Sequence, residues 1–196
     1  MKIGFLMGSF DPIHLGHLNM VRLALNSNIV DKVYIVPSGH NPWKKAEPAP
    51  FNLRVQMIEA SIKPFKGFCE TSRVEALFDP PYYSNKPLNH FKKVFNDDEL
   101  YIICGADTTY KIPHWKNAEE DILPYYGIVE ISRSGGKSHD EIMAEFPQIK
   151  SLDTIESNGM EISSTEVREL LKEGKNVYPL LSNEVIEIIE SNKLYT

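Results

Sequence analysis

Apolar positions along the chain fall into short continuous runs, separated by segments in which they recur every third or fourth residue. Lys2 to Met7 is such a run, the pattern of a strand buried on both faces of a parallel sheet. Leu15, Leu18, Val21 or Arg22 and Leu25 then keep a 3.6-residue period, which predicts a helix over about 15–27. Lys32 to Val36 reads as a second strand, stopped by Pro37. A helix follows at about 52–63, with Asn52 as its N-cap and Val55, Ile58 and Ile62 on one face. Further strands are predicted near 68–72, at 100–104 (Leu100-Tyr101-Ile102-Ile103-Cys104), at Tyr126 to Ser132 and near 149–154. Helices are predicted at about 138–146, 163–173 and 182–191. The Pro-rich stretch 37–50 and the segment 133–137 read as loops, and 72–99 carries no clear pattern. Strands alternating with helices imply an α/β fold: an open, mostly parallel sheet with helices on both faces and a small helical part at the C-terminal end.

A length of 196 residues fits one domain spanning 1–196 and a substantial core. The balance of 21 Lys plus Arg against 27 Asp plus Glu gives a net charge of −6, which argues against a general nucleic-acid binder. It leaves room for an anionic small molecule, since a few local cations suffice. Cys69 and Cys104 are the only cysteines, neither a disulfide framework nor a zinc set, and they fit a reduced, cytoplasmic protein. The apolar start is ended by Gly8-Ser9-Phe10-Asp11-Pro12, too early for a secretory signal. No apolar stretch approaches the ~18 residues of a membrane span, so no membrane partner is expected.

The candidate chemistry lies in two motifs. Gly8-Ser9-Phe10-Asp11-Pro12-Ile13-His14-Leu15-Gly16-His17 sits where a strand ends and a helix opens, the ligand-binding position of open α/β sheets. Gly8 lets a phosphate approach the backbone, and the helix start offers unpaired N–H groups at its positive end. His14 and His17 are three apart and share a face there, with Gly16 leaving the mouth open between them. Two imidazoles beside a phosphate can donate to oxygens that gain charge in a transition state. A lone histidine is more often a surface or core residue, and a His-x-x-His pair also suits half a metal site. The ten residues together favour phosphate chemistry. The second motif is Ile162-Ser163-Ser164-Thr165-Glu166-Val167-Arg168. Ser163 with Glu166 three residues on is a capping box, and Arg168 lies one turn beyond Ser164 on the same face. A hydroxyl-rich helix start beside a guanidinium is a seat for polyphosphate, although the same residues also make an ordinary capped amphipathic helix.

Together these residues resemble the HIGH-type nucleotidyltransferase superfamily and, within it, the nicotinate/nicotinamide mononucleotide adenylyltransferases. The first motif is shared by the superfamily. The second, with Trp115, is similar to the adenylyltransferase branch. Pro37-Ser38-Gly39 with Lys44, Arg54 with Met57, Gly105-Ala106-Asp107, Ile131-Ser132-Arg133 and the closing Pro179, Val185 and Leu194-Tyr195 extend the likeness nearly end to end. The resemblance implies a Rossmann-like nucleotidyltransferase fold and adenylyl transfer from ATP to a pyridine mononucleotide, yielding a dinucleotide and pyrophosphate in NAD biosynthesis. It implies that His14, His17 and Arg168 are catalytic. It implies that Gly8, Ser9, Phe10, Asp107, Ile162, Ser163, Ser164 and Arg168 bind ATP, and that Lys44, Ser84, Trp115 and Arg133 meet the mononucleotide. A stacking role for Trp115 is physically reasonable, since a pyridinium gains from an indole face. Mg²⁺ is expected with ATP rather than in a protein-held metal site, because no carboxylate cluster appears. Two departures stand out: Trp43 replaces the histidine usual before the loop lysine, and Pro81-Tyr82-Tyr83-Ser84-Asn85-Lys86-Pro87 replaces the usual pyridine-contacting segment. Pantetheine-phosphate adenylyltransferase is the nearest alternative, disfavoured by Trp115, Arg168 and the chain length. A non-catalytic nucleotide sensor of the same fold is the alternative of another class. A homo-oligomer is compatible with the sequence.

Overall fold

The computed structural model describes residues 1–39, 47–132, 139–157 and 162–196. Six strands form the sheet: β1 (Lys2–Gly8), β2 (Lys32–Pro37), β3 (Cys69–Thr71), β4 (Glu99–Gly105), β5 (Tyr126–Ser132) and β6 (Leu152–Glu156). Their order is β3-β2-β1-β4-β5-β6, and every pairing is parallel. The order reverses direction between β1 and β4, which creates a crevice beyond the carboxyl ends of those two strands. Gly8 ends β1 and Gly105 ends β4, so the first motif and the Gly105-Ala106-Asp107 segment flank that crevice.

Alternate strand positions feed two cores. Leu6, Val33, Ile35, Ile103, Val129 and Ile131 pack on one face against α1 (Leu15–Asn26), α2 (Phe51–Ser61), α7 (Ser164–Lys172) and α8 (Asn183–Ser191). Ile3, Phe5, Val36, Ile102, Tyr126 and Ile128 pack on the other against α3 (Asn85–Val94) and α6 (His139–Glu145), with the short helices α4 (Ala106–Thr109) and α5 (Ala118–Asp121) at that side's margin. Burial on both sides explains why β1, β4 and β5 read as near-continuous apolar runs.

The elements agree with the sequence pattern with four differences. α2 starts at Phe51 with Pro50 as its N-cap, so Asn52 lies inside the first turn instead of capping it. β6 begins at Leu152, not 149, because Ile149 is buried in the loop before it. α3 fills the stretch left without a pattern; Pro87 sits in its first turn, where a missing N–H is tolerated. Ala106–Thr109 and Ala118–Asp121 are helical turns too short for periodicity to announce. The expected loop residues Trp43, Lys44 and Arg133 lie outside the described residues.

Candidate active site

The turn between β1 and α1 is built under constraint. Phe10 adopts φ 47°, a left-handed conformation that costs a bulky residue on the order of 1–3 kcal/mol and persists only where the surroundings enforce it. Here its ring is 2 % exposed, lies against Gly8 and meets the His17 ring edge-on with centroids 4.9 Å apart. A Cβ on residue 8 would stand 3.2 Å from the Phe10 ring, so that glycine makes room for a neighbour as well as for a ligand.

His14 is the N-cap of α1, in extended conformation, and is buried. The His17 ring stacks on it with centroids 3.7 Å apart and an interplanar angle of 22°. The backbone N–H of His14 donates to His17 Nδ1 at 3.3 Å, so an imidazole fills the place a glutamate takes in a capping box. That bond makes Nδ1 an acceptor and leaves the proton of the neutral ring on Nε2. Gly16 does not leave the mouth open as expected. A Cβ there would meet His14 Nδ1 at 3.0 Å and Cε1 at 3.1 Å, so the space is filled by the imidazole itself.

The second motif reaches the same place from the far end of the chain. Ser163 caps α7, its Oγ accepting from the Glu166 N–H at 3.1 Å. Ser164 Oγ donates to Pro12 O at 2.9 Å, and Arg168 Nη1 donates to Asp11 O at 2.7 Å. The N-termini of α1 and α7 are thereby joined across the 11–12 turn and open together. Ile162 is buried beside Gly16, with its Cβ 3.6 Å from the position of a Cβ there. The Asp11 carboxylate is a hub that sequence reasoning missed. Its Oδ1 accepts from Ala49 N–H at 3.0 Å and from Tyr195 Oη at 2.7 Å, and Arg168 Nη1 stands 3.8 Å from Oδ2. Burial and the bond to Asp11 push the Tyr195 phenol well above its ordinary pKa, so it stays a donor. No local pattern signals a contact spanning 184 positions.

Of the mononucleotide-side candidates, Ser84 and Trp115 are described, and contacts of their neighbours draw them together. Tyr82 carries its ring against Gly39, where a Cβ would fall 2.8 Å from it, and Lys116 Nζ lies 4.7 Å from the Tyr83 ring centroid. These contacts bring the turn after β2, the Tyr83-Ser84 step and the Trp115-Lys116 step to one region. Trp115 is half-buried, and packs against the second core. Asp107 is exposed in the first turn of α4, at the end of β4. Lys86 donates from Nζ to Asp79 O at 2.8 Å, bracing the turn before α3. Among the described residues no group of three His, Cys, Asp or Glu side chains is placed to hold a metal ion.

The Cytidylyltransferase-like family model matches residues 5–170. A protein of Methylacidiphilum infernorum named "Probable nicotinate-nucleotide adenylyltransferase" is 32 % identical over 99 % of this chain and 92 % of its own. One of Clostridium botulinum with the same name is 34 % identical over 99 % of this chain and 98 % of its own. The chain belongs to the nicotinate-nucleotide adenylyltransferases within the Cytidylyltransferase-like family. This makes it an enzyme, a nucleotidyltransferase of NAD biosynthesis. The adenylyltransferase fold is shared with nicotinic acid mononucleotide adenylyltransferase of Plasmodium falciparum complexed with NaAD, at a TM-score of 0.82 and 19 % identity, covering 99 % of this chain and 97 % of that one. The same enzyme complexed with APC gives a TM-score of 0.79, also at 19 % identity, over 99 % of this chain and 96 % of that one. Among the described residues no helix is long and apolar enough to cross a membrane.

Proposed function

We propose that the chain, as one nucleotidyltransferase domain over 1–196, joins ATP to nicotinate mononucleotide and releases pyrophosphate. The observation that carries this reading is the joining of two helix N-termini at the switch-point crevice, through Ser164 to Pro12 O and Arg168 to Asp11 O. Two positive helix ends with two imidazoles and a guanidinium form a cradle for a triphosphate.

The mononucleotide phosphate is anionic at neutral pH, so it attacks the α-phosphorus of ATP without a general base. The enzyme's task is to align attacking oxygen, phosphorus and leaving oxygen and to neutralise the charge that develops. His14 and His17 contact the triphosphate, His17 donating from Nε2 to an α-phosphate oxygen with its ring stacked on that of His14. Gly8, Ser9 and Phe10 line the nucleotide, with Asp107 by the adenosine. The α7 start (Ile162, Ser163, Ser164) and Arg168 hold the β- and γ-phosphates. Ser84 and Trp115 receive the pyridine, assisted by Lys44 and Arg133. Mg²⁺ enters as the counter-ion of ATP. The Asp11 carboxylate accepts from Ala49 N–H and Tyr195 Oη, and among the described residues no side-chain cluster is placed to cage the ion, so no step is assigned to it. Two free, buried cysteines support a reduced, cytoplasmic setting.

Parallel pyrophosphate-release assays with MgATP and nicotinate mononucleotide, nicotinamide mononucleotide or phosphopantetheine test the reading. The nicotinate form is expected to react fastest. Release only with phosphopantetheine would transfer the chain to the alternative enzyme, and release with none would make it a nucleotide-binding sensor.

A further inference from the structure

Arg54 lies in α2 at 1 % exposure, and among the described residues its guanidinium donates to backbone carbonyls. Nε donates to Ala49 O at 2.9 Å, Nη1 to Ser9 O at 2.6 Å and Ser38 O at 2.8 Å, and Nη2 to Gly39 O at 2.8 Å. Burial lowers its pKa, opposed by Asp11, Tyr195 and Glu75. Removing a charge from water is costly, and a methionine or leucine here would fill the space without that cost. What an apolar residue would not do is fix four carbonyls from two different loops at once.

The Ser38-Gly39 turn is held from other sides too. Glu75, 3 % exposed in a 3-10 turn (Val74–Leu77), accepts the Gly39 N–H, and the Tyr82 ring closes over the Gly39 Cα. The second Glu75 oxygen, Oε2, is buried with no hydrogen-bond partner among the described residues. Gly39 is thus gripped at its carbonyl, its amide and its α-carbon. Through Nη1, the same guanidinium is tied to Ser9 on the nucleotide side.

We propose that Arg54 and Glu75 are positioning residues which set the spacing between the nucleotide wall at Ser9 and the mononucleotide wall at Ser38-Gly39. This rests on the functional reading above. The two residues have separable duties. Arg54 touches both walls and so governs the alignment of attacking oxygen and α-phosphorus. Glu75 holds the second wall directly, at the Gly39 N–H, and so governs mononucleotide binding.

Steady-state kinetics with MgATP and nicotinate mononucleotide test this on Glu75→Ala, Glu75→Gln, Arg54→Lys and Arg54→Ala, the last with and without added guanidinium. Glu75→Ala is expected to raise the mononucleotide KM roughly tenfold, the loss of one buried hydrogen bond, with the KM for ATP unchanged. Glu75→Gln, whose amide oxygen still accepts from Gly39, stays near wild type. Arg54→Ala lowers kcat by about a hundredfold, the scale of a small misalignment of reacting groups, and low-millimolar guanidinium restores part of it. Arg54→Lys falls between, since one ammonium cannot hold both walls in register. The proposal is overturned if Glu75→Ala raises both KM values alike, or if natively folded Arg54→Ala keeps wild-type kcat or gains nothing from guanidinium. Should Arg54→Ala fail to fold, the Glu75 pair decides. A wild-type enzyme inert toward nicotinate mononucleotide would overturn the functional reading and this proposal with it. An active wild type with unaffected variants overturns the proposal alone.

Discussion

The chemistry assigned to His17 depends on which ring nitrogen carries its proton, and a backbone amide makes that choice. Because the His14 N–H donates to Nδ1, the proton available to a phosphate oxygen is on Nε2. Removing the ring should lower kcat by about a hundredfold, on the order of 3 kcal/mol, as loss of one charge-stabilising donor does. The side chains that mimic each nitrogen then separate. A glutamine amide nitrogen reaches the Nε2 position and an asparagine amide reaches only the Nδ1 position, so kcat should order wild type, His17→Gln, His17→Asn. An equal loss in both would place the proton elsewhere. Gly16→Ala tests the stack from behind. The new methyl would start 3.0 Å from His14 Nδ1, tighter than ordinary contact. His14 is buried against His17, so the displacement passes to the catalytic ring. Turnover should drop while far-ultraviolet circular dichroism remains native.

At the scale of elements, two helix starts far apart in the chain, at Leu15 and Ser164, share one turn, and each is capped differently. α1 uses imidazoles, and α7 uses a serine hydroxyl. Ser163→Ala removes the acceptor of the Glu166 N–H and should cost about 1 kcal/mol, a melting-point loss of about 2–4 °C at this size. It should also weaken ATP binding, because the frayed turn is the one that carries Ser164 onto Pro12 O. A variant that loses stability but keeps its KM for ATP would separate the cap from the cradle. The cap at Ser163, the strands at β1, β4 and β5 and the opening of α1 were readable because each is a local pattern of spacing and residue type. α3 was not, since Asn85–Val94 is mostly polar, holds Pro87 in its first turn and follows Pro80 and Pro81. Nor were the duties of Arg54, Glu75, Asp11 and Tyr195. Each acts on backbone or side chains distant in sequence, so their meaning appears only when the loops have been brought together.

For the molecule as a whole, parallel topology gathers the turns after β1, β2 and β4 at one end of the sheet, and the stability of that end responds to pH through the buried Glu75. Burial raises the Glu75 pKa from 4.5 to about 7, offset in part by the Gly39 N–H, Lys86 and Arg54. The folded chain therefore holds a proton that the unfolded chain releases at lower pH. Below pH 4.5 both states are protonated, and the group contributes no pH dependence. As pH rises from 4.5 to about 7, the unfolded state is favoured by its earlier ionisation, so stability falls, by on the order of 3 kcal/mol in all from this group. Above that window the loss is complete and levels off. Glu75→Gln keeps an acceptor for Gly39 but has nothing to ionise. Its stability relative to wild type should therefore climb through the same window, as read from urea denaturation midpoints at each end of it. The catalytic end of this adenylyltransferase carries that cost at neutral pH because the carboxylate holds a turn that a neutral apolar residue would release. A stability difference that stays flat across the window would mean that Glu75 ionises freely in the folded protein and is not sealed beneath Gly39.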